Sequence, residues 1–123
     1  MVLDHVAFDI ETTGFNAGDV VTVVGFAAPT VLRVFVQTDG ESTESVAAAL
    51  DAAPTQDVTV STHATERALL AAVTEFTAAE VAESNALLVA YNGERWNGGF
   101  DLPFLRTRYA THGLRWPFTD VPY

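Results

Sequence analysis

Apolar and polar residues repeat along the chain in two ways, one typical of strands and one typical of helices. The strand-like runs are rich in Val and in aromatic residues and are bounded by Gly, Pro, Asn or Asp, which favours buried strands. These runs cover residues 2–10, 20–27, 31–37 and 86–91. Pro29 and Thr30 separate the second run from the third, so these two runs are predicted to form a hairpin. Residues 57–61 are a shorter β-prone segment.

Helical periodicity is clearest in residues 65–83. Thr65 can cap a helix there, and Glu66 would lie in its first turn, where an acidic residue is favourable. Apolar residues recur in this segment at roughly helical spacing and predict a buried helix face. They are Leu69, Leu70, Val73, Phe76 and Val81.

Two further helices complete the predicted order of elements. Residues 45–53 can form a short helix. The last helix is predicted to begin near Phe100, because Pro103 suits a first turn and Gly113 suits a helix end. The segments 12–18 and 92–99, rich in Gly and Asn, are predicted loops. Three strands, two helices, a strand and a helix predict an α/β fold. Its mixed sheet has three antiparallel strands and then a parallel one, with flanking helices.

The composition is that of a single domain, residues 1–123. A chain of 123 residues is long enough for one hydrophobic core. It contains no Cys, which excludes disulfides and thiolate metal sites. Its start does not resemble a signal peptide, and its longest apolar run, residues 20–36, contains Gly25, Pro29 and Arg33. We therefore expect a cytoplasmic protein with no membrane partner.

The charge of the chain is unusual, with 16 acidic residues, six Arg and no Lys, for a net charge of −10. Such a surface indicates either general solubility or adaptation to a very salty cell interior, as in a haloarchaeon. At about 1 M salt the Debye length is only ~3 Å, so repulsion between this chain and nucleic acid would be screened. Residues 91–123 differ, with three acidic residues against four Arg, and are the place to expect phosphate contacts.

Two acidic segments carry the candidate chemistry. Asp9 and Glu11 share one face of the first predicted strand, and two carboxylates so close together favour a hard divalent cation such as Mg²⁺ or Mn²⁺. Asp101 follows the strand at residues 86–91 and opens the last helix. Taken separately, each segment has a plain alternative, because acidic pairs are common in an acidic chain and an acidic residue favours a helix start.

Taken together, the two segments resemble a known family. Residues 8–14 (FDIETTG) and 97–101 (NGGFD) resemble the first two motifs of the DEDD superfamily of 3′–5′ exonucleases, which have the ribonuclease-H-like fold. Residues 102–106 (LPFLR) are similar to the exonuclease domain of B-family DNA polymerases. The resemblance implies a nuclease that hydrolyses single-stranded DNA or RNA from its 3′ end.

The resemblance also implies roles for individual residues. Asp9, Glu11 and Asp101 would be catalytic and would bind two Mg²⁺ or Mn²⁺ ions, and the backbone near Thr12 would hold the terminal 3′-hydroxyl. The implied substrate-binding residues are Thr12, Thr13, Gly14, Phe15, Asn92, Asn97 and Phe100. Phe15 would lie against the last base, and either Asn92 or Asn97 fits the Asn of the second motif.

The family's third motif, a Tyr or His followed a few residues later by an Asp, does not occur after Asp101. The domain is therefore expected to be incomplete at its C-terminal end, with low or no activity. An exposed sheet edge would then invite self-association. The alternative is a non-catalytic ribonuclease-H-like module that binds nucleic acid or protein.

Overall fold

The fold was analysed in a computed structural model that describes residues 5–14, 16, 18–28, 31–39, 57–81, 87–90, 101–119 and 121. At residues 31, 57, 90 and 101 it describes the backbone and not the side chain. The predicted helix at residues 45–53 and the predicted loop at residues 92–99 lie outside the described residues. None of the described helices is long and apolar enough to cross a membrane.

Five strands form one mixed sheet in the order β4-β3-β2-β1-β5. They are β1 His5–Thr12, β2 Val21–Ala27, β3 Val31–Gln37, β4 Asp57–His63 and β5 Leu87–Ala90. The first three strands pair antiparallel, whereas β4 runs parallel to β3 and β5 runs parallel to β1. The structure therefore confirms the predicted mixed sheet and the β2–β3 hairpin.

Two strands differ from their predicted bounds. β1 continues to Thr12, which was expected to open the following loop, because Thr12 still pairs with Val21 after a register shift. β4 extends to His63 and pairs with β3 along its whole length. The sequence indicated only a short β-prone segment here, because Thr and Ser residues weaken the apolar alternation of an edge strand.

Two helices complete the described fold, α1 (Glu66–Phe76) and α2 (Asp101–Thr111). The Thr65 hydroxyl caps α1 as predicted, accepting a hydrogen bond of 3.1 Å from the Ala68 N–H. The α-helix ends earlier than predicted and continues as a π-helical turn, Thr77–Val81. After α2, Gly113 adopts a positive φ of 67°, which is the helix-ending conformation that its position predicted.

The core lies between the sheet and these helices. Phe8 and Phe26 lie side by side on β1 and β2, with ring centroids 5.4 Å apart. The predicted apolar face of α1 is confirmed, since Leu69, Leu70 and Val73 are fully buried. Helix α2 adds Leu105 and Tyr109 to the same cluster. The sheet and both helices thus share one core, which fixes the helices relative to β1.

Candidate functional site

Alternation along β1 separates its apolar residues from its acidic ones. Phe8 and Ile10 point into the core, with 0% and 6% exposure. On the opposite face Asp9 is half-buried and Glu11 is exposed. The partner of Asp9 on β2 is Gly25, which has no side chain. The predicted same-face pair of carboxylates is therefore present at the end of β1.

The described part of the neighbouring strand β5 reaches the residue before Asp9. β5 runs parallel to β1, and its last residue, Ala90, pairs with Phe8. The next described element is α2, whose first residue is Asp101. Carboxyl ends of neighbouring parallel strands form the usual ligand-binding edge of such sheets.

A β-bulge lies at the Glu11 position. The pairing register shifts between Glu11, which pairs with Val23, and Thr12, which pairs with Val21. The Thr22 hydroxyl, left between them, donates a hydrogen bond of 3.1 Å to the Glu11 carbonyl. Bulges bend the strand that carries them and often lie beside active sites, and this one lies directly after Glu11.

The loop after β1 is closed by Asp19, which the sequence reasoning did not single out. Its carboxylate accepts hydrogen bonds of 2.9 Å from the Thr13 hydroxyl and from the Asn16 N–H. The Thr13 hydroxyl also accepts a hydrogen bond of 3.0 Å from the Val20 N–H. An Asp just before a strand, in a loop rich in Gly and Asn, was the sequence signal for this turn.

The same carboxylate lies so close to Gly14 that it leaves no space for a side chain there. A Cβ atom at Gly14 would lie 2.5 Å from Asp19 Oδ2, far inside van der Waals contact. Next to it, the Thr12 hydroxyl donates a hydrogen bond of 2.7 Å to the Gly14 carbonyl. The hydroxyls of Thr12 and Thr13 thus hold the loop together, and their role in substrate binding stays a prediction.

Several predicted site residues lie outside the described part of the chain. They are Phe15, Asn92, Asn97 and Phe100, together with the side chain of Asp101. The described side chains contain no group of three or more His, Cys, Asp or Glu residues that could hold a metal ion. Asp9 and Glu11 are the only two predicted ligands among them, so the three-carboxylate set stays a prediction.

A buried ion cluster, also missed by the sequence reasoning, lies behind this site at the start of α1. The Glu66 carboxylate is 6% exposed and accepts a hydrogen bond of 2.7 Å from the Val21 N–H. Arg108 on α2 donates from Nε at 3.0 Å and from Nη2 at 2.6 Å. The Nε2 atom of His112 lies 2.6 Å from Glu66 Oε1. One carboxylate thus joins β2, α1 and the C-terminal half of α2.

The electrostatics of Glu66 follow from these contacts. Burial by itself would raise the pKa of Glu66, because it disfavours the charged carboxylate. The hydrogen bonds from Arg108, from the Val21 N–H and from His112 act in the opposite direction and prevail, so the pKa lies below its ordinary value. Glu66 is therefore a buried charge that is stabilised by its neighbours.

Comparison with protein families identifies the family of this chain. A search of curated proteins finds no match. The family model of the RNase H superfamily matches residues 6–122. This span includes the described strands and helices except for His5, the first residue of β1, and the mixed sheet agrees with such a fold. The chain therefore belongs to the RNase H superfamily.

Proposed function

We propose that the chain is a metal-dependent 3′–5′ exonuclease domain that acts on the 3′ end of single-stranded DNA or RNA. The observation that carries the proposal is the placement of Asp9 and Glu11. They lie on one face in the second half of β1, directly after Phe8, which pairs with the last described residue of β5. Membership of the RNase H superfamily supports a nuclease-like or nucleic-acid-binding role. Residues 8–14 and 97–101 narrow the proposal to the DEDD class by their resemblance.

The two carboxylates on β1 are suitable ligands for divalent cations. Asp9 and Glu11 supply hard carboxylate oxygens, which Mg²⁺ and Mn²⁺ prefer, and both can be reached from solvent. We assign Asp101 as the third ligand. Two such ions, when bound, would neutralise charge on the phosphate and activate the attacking water. Asp9, Glu11 and Asp101 would hold that geometry, while the loop after β1 orients the terminal nucleotide.

The substrate contacts are part of the same proposal. The backbone at Thr12, Thr13 and Gly14 would hold the terminal 3′-hydroxyl, and Phe15 would stack on the last base in a sequence-tolerant way. Phe100 and either Asn92 or Asn97 would complete the contact surface. The exposed Arg106 and Arg115 lie in the least acidic third of the chain, where phosphates would be best tolerated.

Two broader proposals accompany this function. The composition fits a cytoplasmic protein of a high-salt organism such as a haloarchaeon, and residues 102–106 fit a relative of the B-family polymerase exonuclease domain. In the DEDD class the third motif supplies the general base, and general-base help typically adds about 10²–10⁴-fold to a rate.

The test is nucleotide release from a single-stranded oligonucleotide in molar KCl with Mn²⁺. We expect stepwise release of mononucleotides from the 3′ end only. Asp9→Asn should lower the rate about 100-fold or more, the scale of losing one group that stabilises transition-state charge. The matched control is Asp39→Asn, which makes the same charge change at an exposed position and should leave the rate unchanged.

Two outcomes would contradict the proposal. Release that survives Asp9→Asn would exclude the metal site at the end of β1. Oligonucleotide binding without any release would support the non-catalytic ribonuclease-H-like module instead.

A further inference from the structure

We propose that Glu66 is a positioning residue for the metal site, because it sets where Asp101 lies relative to Asp9 and Glu11. The inference rests on the proposed function, since it assigns a role around the same three carboxylates. Glu66 would contact neither metal nor substrate. It would act by joining the strand end that carries Glu11 to the helix that begins at Asp101.

The first half of this connection runs through the sheet. The Glu66 carboxylate accepts the Val21 N–H at 2.7 Å, and Val21 is the first residue of β2. Val21 pairs with Thr12, directly after the bulge at Glu11. A buried hydrogen bond to a charged acceptor is short and directional. Glu66 therefore holds the end of the sheet at the point where the register shifts beside Glu11.

The second half runs through α2. Arg108 contacts Glu66 with two of its nitrogen atoms, Nε at 3.0 Å and Nη2 at 2.6 Å, which limits both the distance and the rotation of the guanidinium. Asp101 and Arg108 are seven positions apart in one helix. Seven residues make two turns, with a rise of about 10.5 Å, so the two backbone positions lie on the same side of α2. Fixing Arg108 therefore fixes the start of the helix.

Two other hydrogen bonds link the helical layer without reaching the sheet. The Tyr109 hydroxyl donates to the Leu70 carbonyl at 2.7 Å, and Arg67 donates to the His112 carbonyl, directly after α2, at 2.6 Å. Core packing holds both helices against the sheet, but apolar contacts are not directional. Glu66 links the two helices to the sheet by directional hydrogen bonds, and this makes it suitable as a positioning residue.

A purely stabilising role would not require a charged cluster. Buried ion pairs contribute little net stability compared with apolar residues of similar volume. They do impose one geometry, since each charge must keep its partners. Two metal ions need ligands in fixed places to within a fraction of an ångström. Geometry is therefore the property that this cluster supplies and that the metal site needs.

The experiment measures Mn²⁺ affinity of the whole chain by calorimetric titration, together with the thermal midpoint. Glu66→Gln removes the charge, and Arg108→Lys keeps the charge but loses the two-nitrogen contact. We expect both variants to weaken Mn²⁺ affinity by about tenfold or more, the usual effect of residues that orient metal ligands. Tyr109→Phe is the matched control. It removes a buried helix–helix hydrogen bond and lowers the midpoint, and it should leave Mn²⁺ affinity unchanged.

The outcomes separate the two proposals. If Arg108→Lys and Glu66→Gln bind Mn²⁺ as tightly as Tyr109→Phe does at a similar midpoint, Glu66 is structural only and the inference is overturned. Arg108→Lys keeps the inference testable even if Glu66→Gln does not fold. If the unaltered chain binds no Mn²⁺, or Asp9→Asn binds it equally well, the metal site fails and the positioning role fails with it.

Discussion

Glu66 keeps a negative charge where water is almost excluded, with 6% of its surface exposed. Three donors, from Arg108, His112 and the Val21 N–H, replace the lost water. Removing one member of such a cluster leaves the others buried without their partner, which is the costly case for buried ions. Substitution of a single member of the cluster is therefore expected to be strongly destabilising.

The stability that charged Glu66 contributes depends on pH, and the direction of this dependence follows from the direction of its pKa shift. The pKa of Glu66 is lower in the folded chain than its ordinary value of 4.5. Charged Glu66 thus stabilises the fold fully above about pH 4.5, and the contribution is lost as pH falls from there through the lowered folded pKa. We expect Glu66→Gln to lower the free energy of unfolding by about 3 kcal/mol at neutral pH, and the difference to narrow below pH 4.5.

The measurement is urea unfolding of both chains across this pH range. Glu75→Gln, at an exposed position on the same helix, makes the same charge change and should stay within about 0.5 kcal/mol of the unaltered chain. A difference between Glu66→Gln and the unaltered chain that does not vary with pH would show that the charge of Glu66 contributes nothing.

Gly14 offers a second test at the scale of single residues. A methyl group there would displace the Asp19 carboxylate, 2.5 Å from the new Cβ, and would break its hydrogen bonds to the loop. We expect Gly14→Ala to cost about 1–2 kcal/mol of unfolding free energy. Gly18→Ala is the control, since a Cβ at Gly18 meets no atom within 4 Å.

A double-mutant cycle of Gly14 and Asp19 tests whether the Asp19 carboxylate causes the cost of Gly14→Ala. In an Asp19→Ala background the carboxylate is absent, so the added cost of Gly14→Ala should largely disappear in a double-mutant cycle. An unchanged cost in that background would point to a different origin.

The two outer strands of the described sheet, β4 and β5, differ in composition. Among the described strands, β5 has a partner only on its β1 side, and β4 only on its β3 side. β4 carries mainly Thr and Ser between its Val residues, whereas β5 is apolar throughout. Val89 on β5 is 41% exposed. An apolar edge strand is the usual starting point for pairing with another chain.

We therefore expect concentration-dependent self-association through β5. Val89→Lys should reduce it, because a charged residue opposes edge pairing. Sedimentation velocity over a range of protein concentrations measures the effect. Thr59→Lys, which adds the same charge to the other edge strand, is the control and should leave association unchanged. Equal effects of the two substitutions would exclude β5 as the specific edge.

The whole molecule carries a net charge of −10 without a single Lys. Its own repulsion must therefore destabilise the compact state at low ionic strength. At about 1 M salt the Debye length falls to ~3 Å and most of this repulsion is screened. The stability of the folded chain is thus expected to depend on the salt concentration as well as on internal contacts.

The thermal midpoint should rise between low and molar KCl. Each ~1 kcal/mol of relieved repulsion raises the midpoint of a domain near this size by about 4 °C. Sucrose at equal osmolality controls for effects that any solute has on burial. Equal midpoints in low and high KCl would argue against an origin in a high-salt cell.

The sequence by itself determined the local parts of this fold. The period of two in β1 placed Asp9 and Glu11 on one face, and the face of α1 followed from its helical spacing. The Thr65 cap and the helix end at Gly113 also followed from neighbouring residues. Each of these features depends on interactions within a few positions, so the pattern of the chain is sufficient to predict it.

Only the tertiary structure decided which distant residues meet. β4 pairs with β3 across an intervening connection, so a weak local pattern became a full strand. Glu66, expected to do no more than favour a helix start, meets Val21, Arg108 and His112, which lie 42 to 46 positions away in sequence. No local period encodes such contacts, because they arise when the helices pack on the sheet and a buried charge must find its donors there.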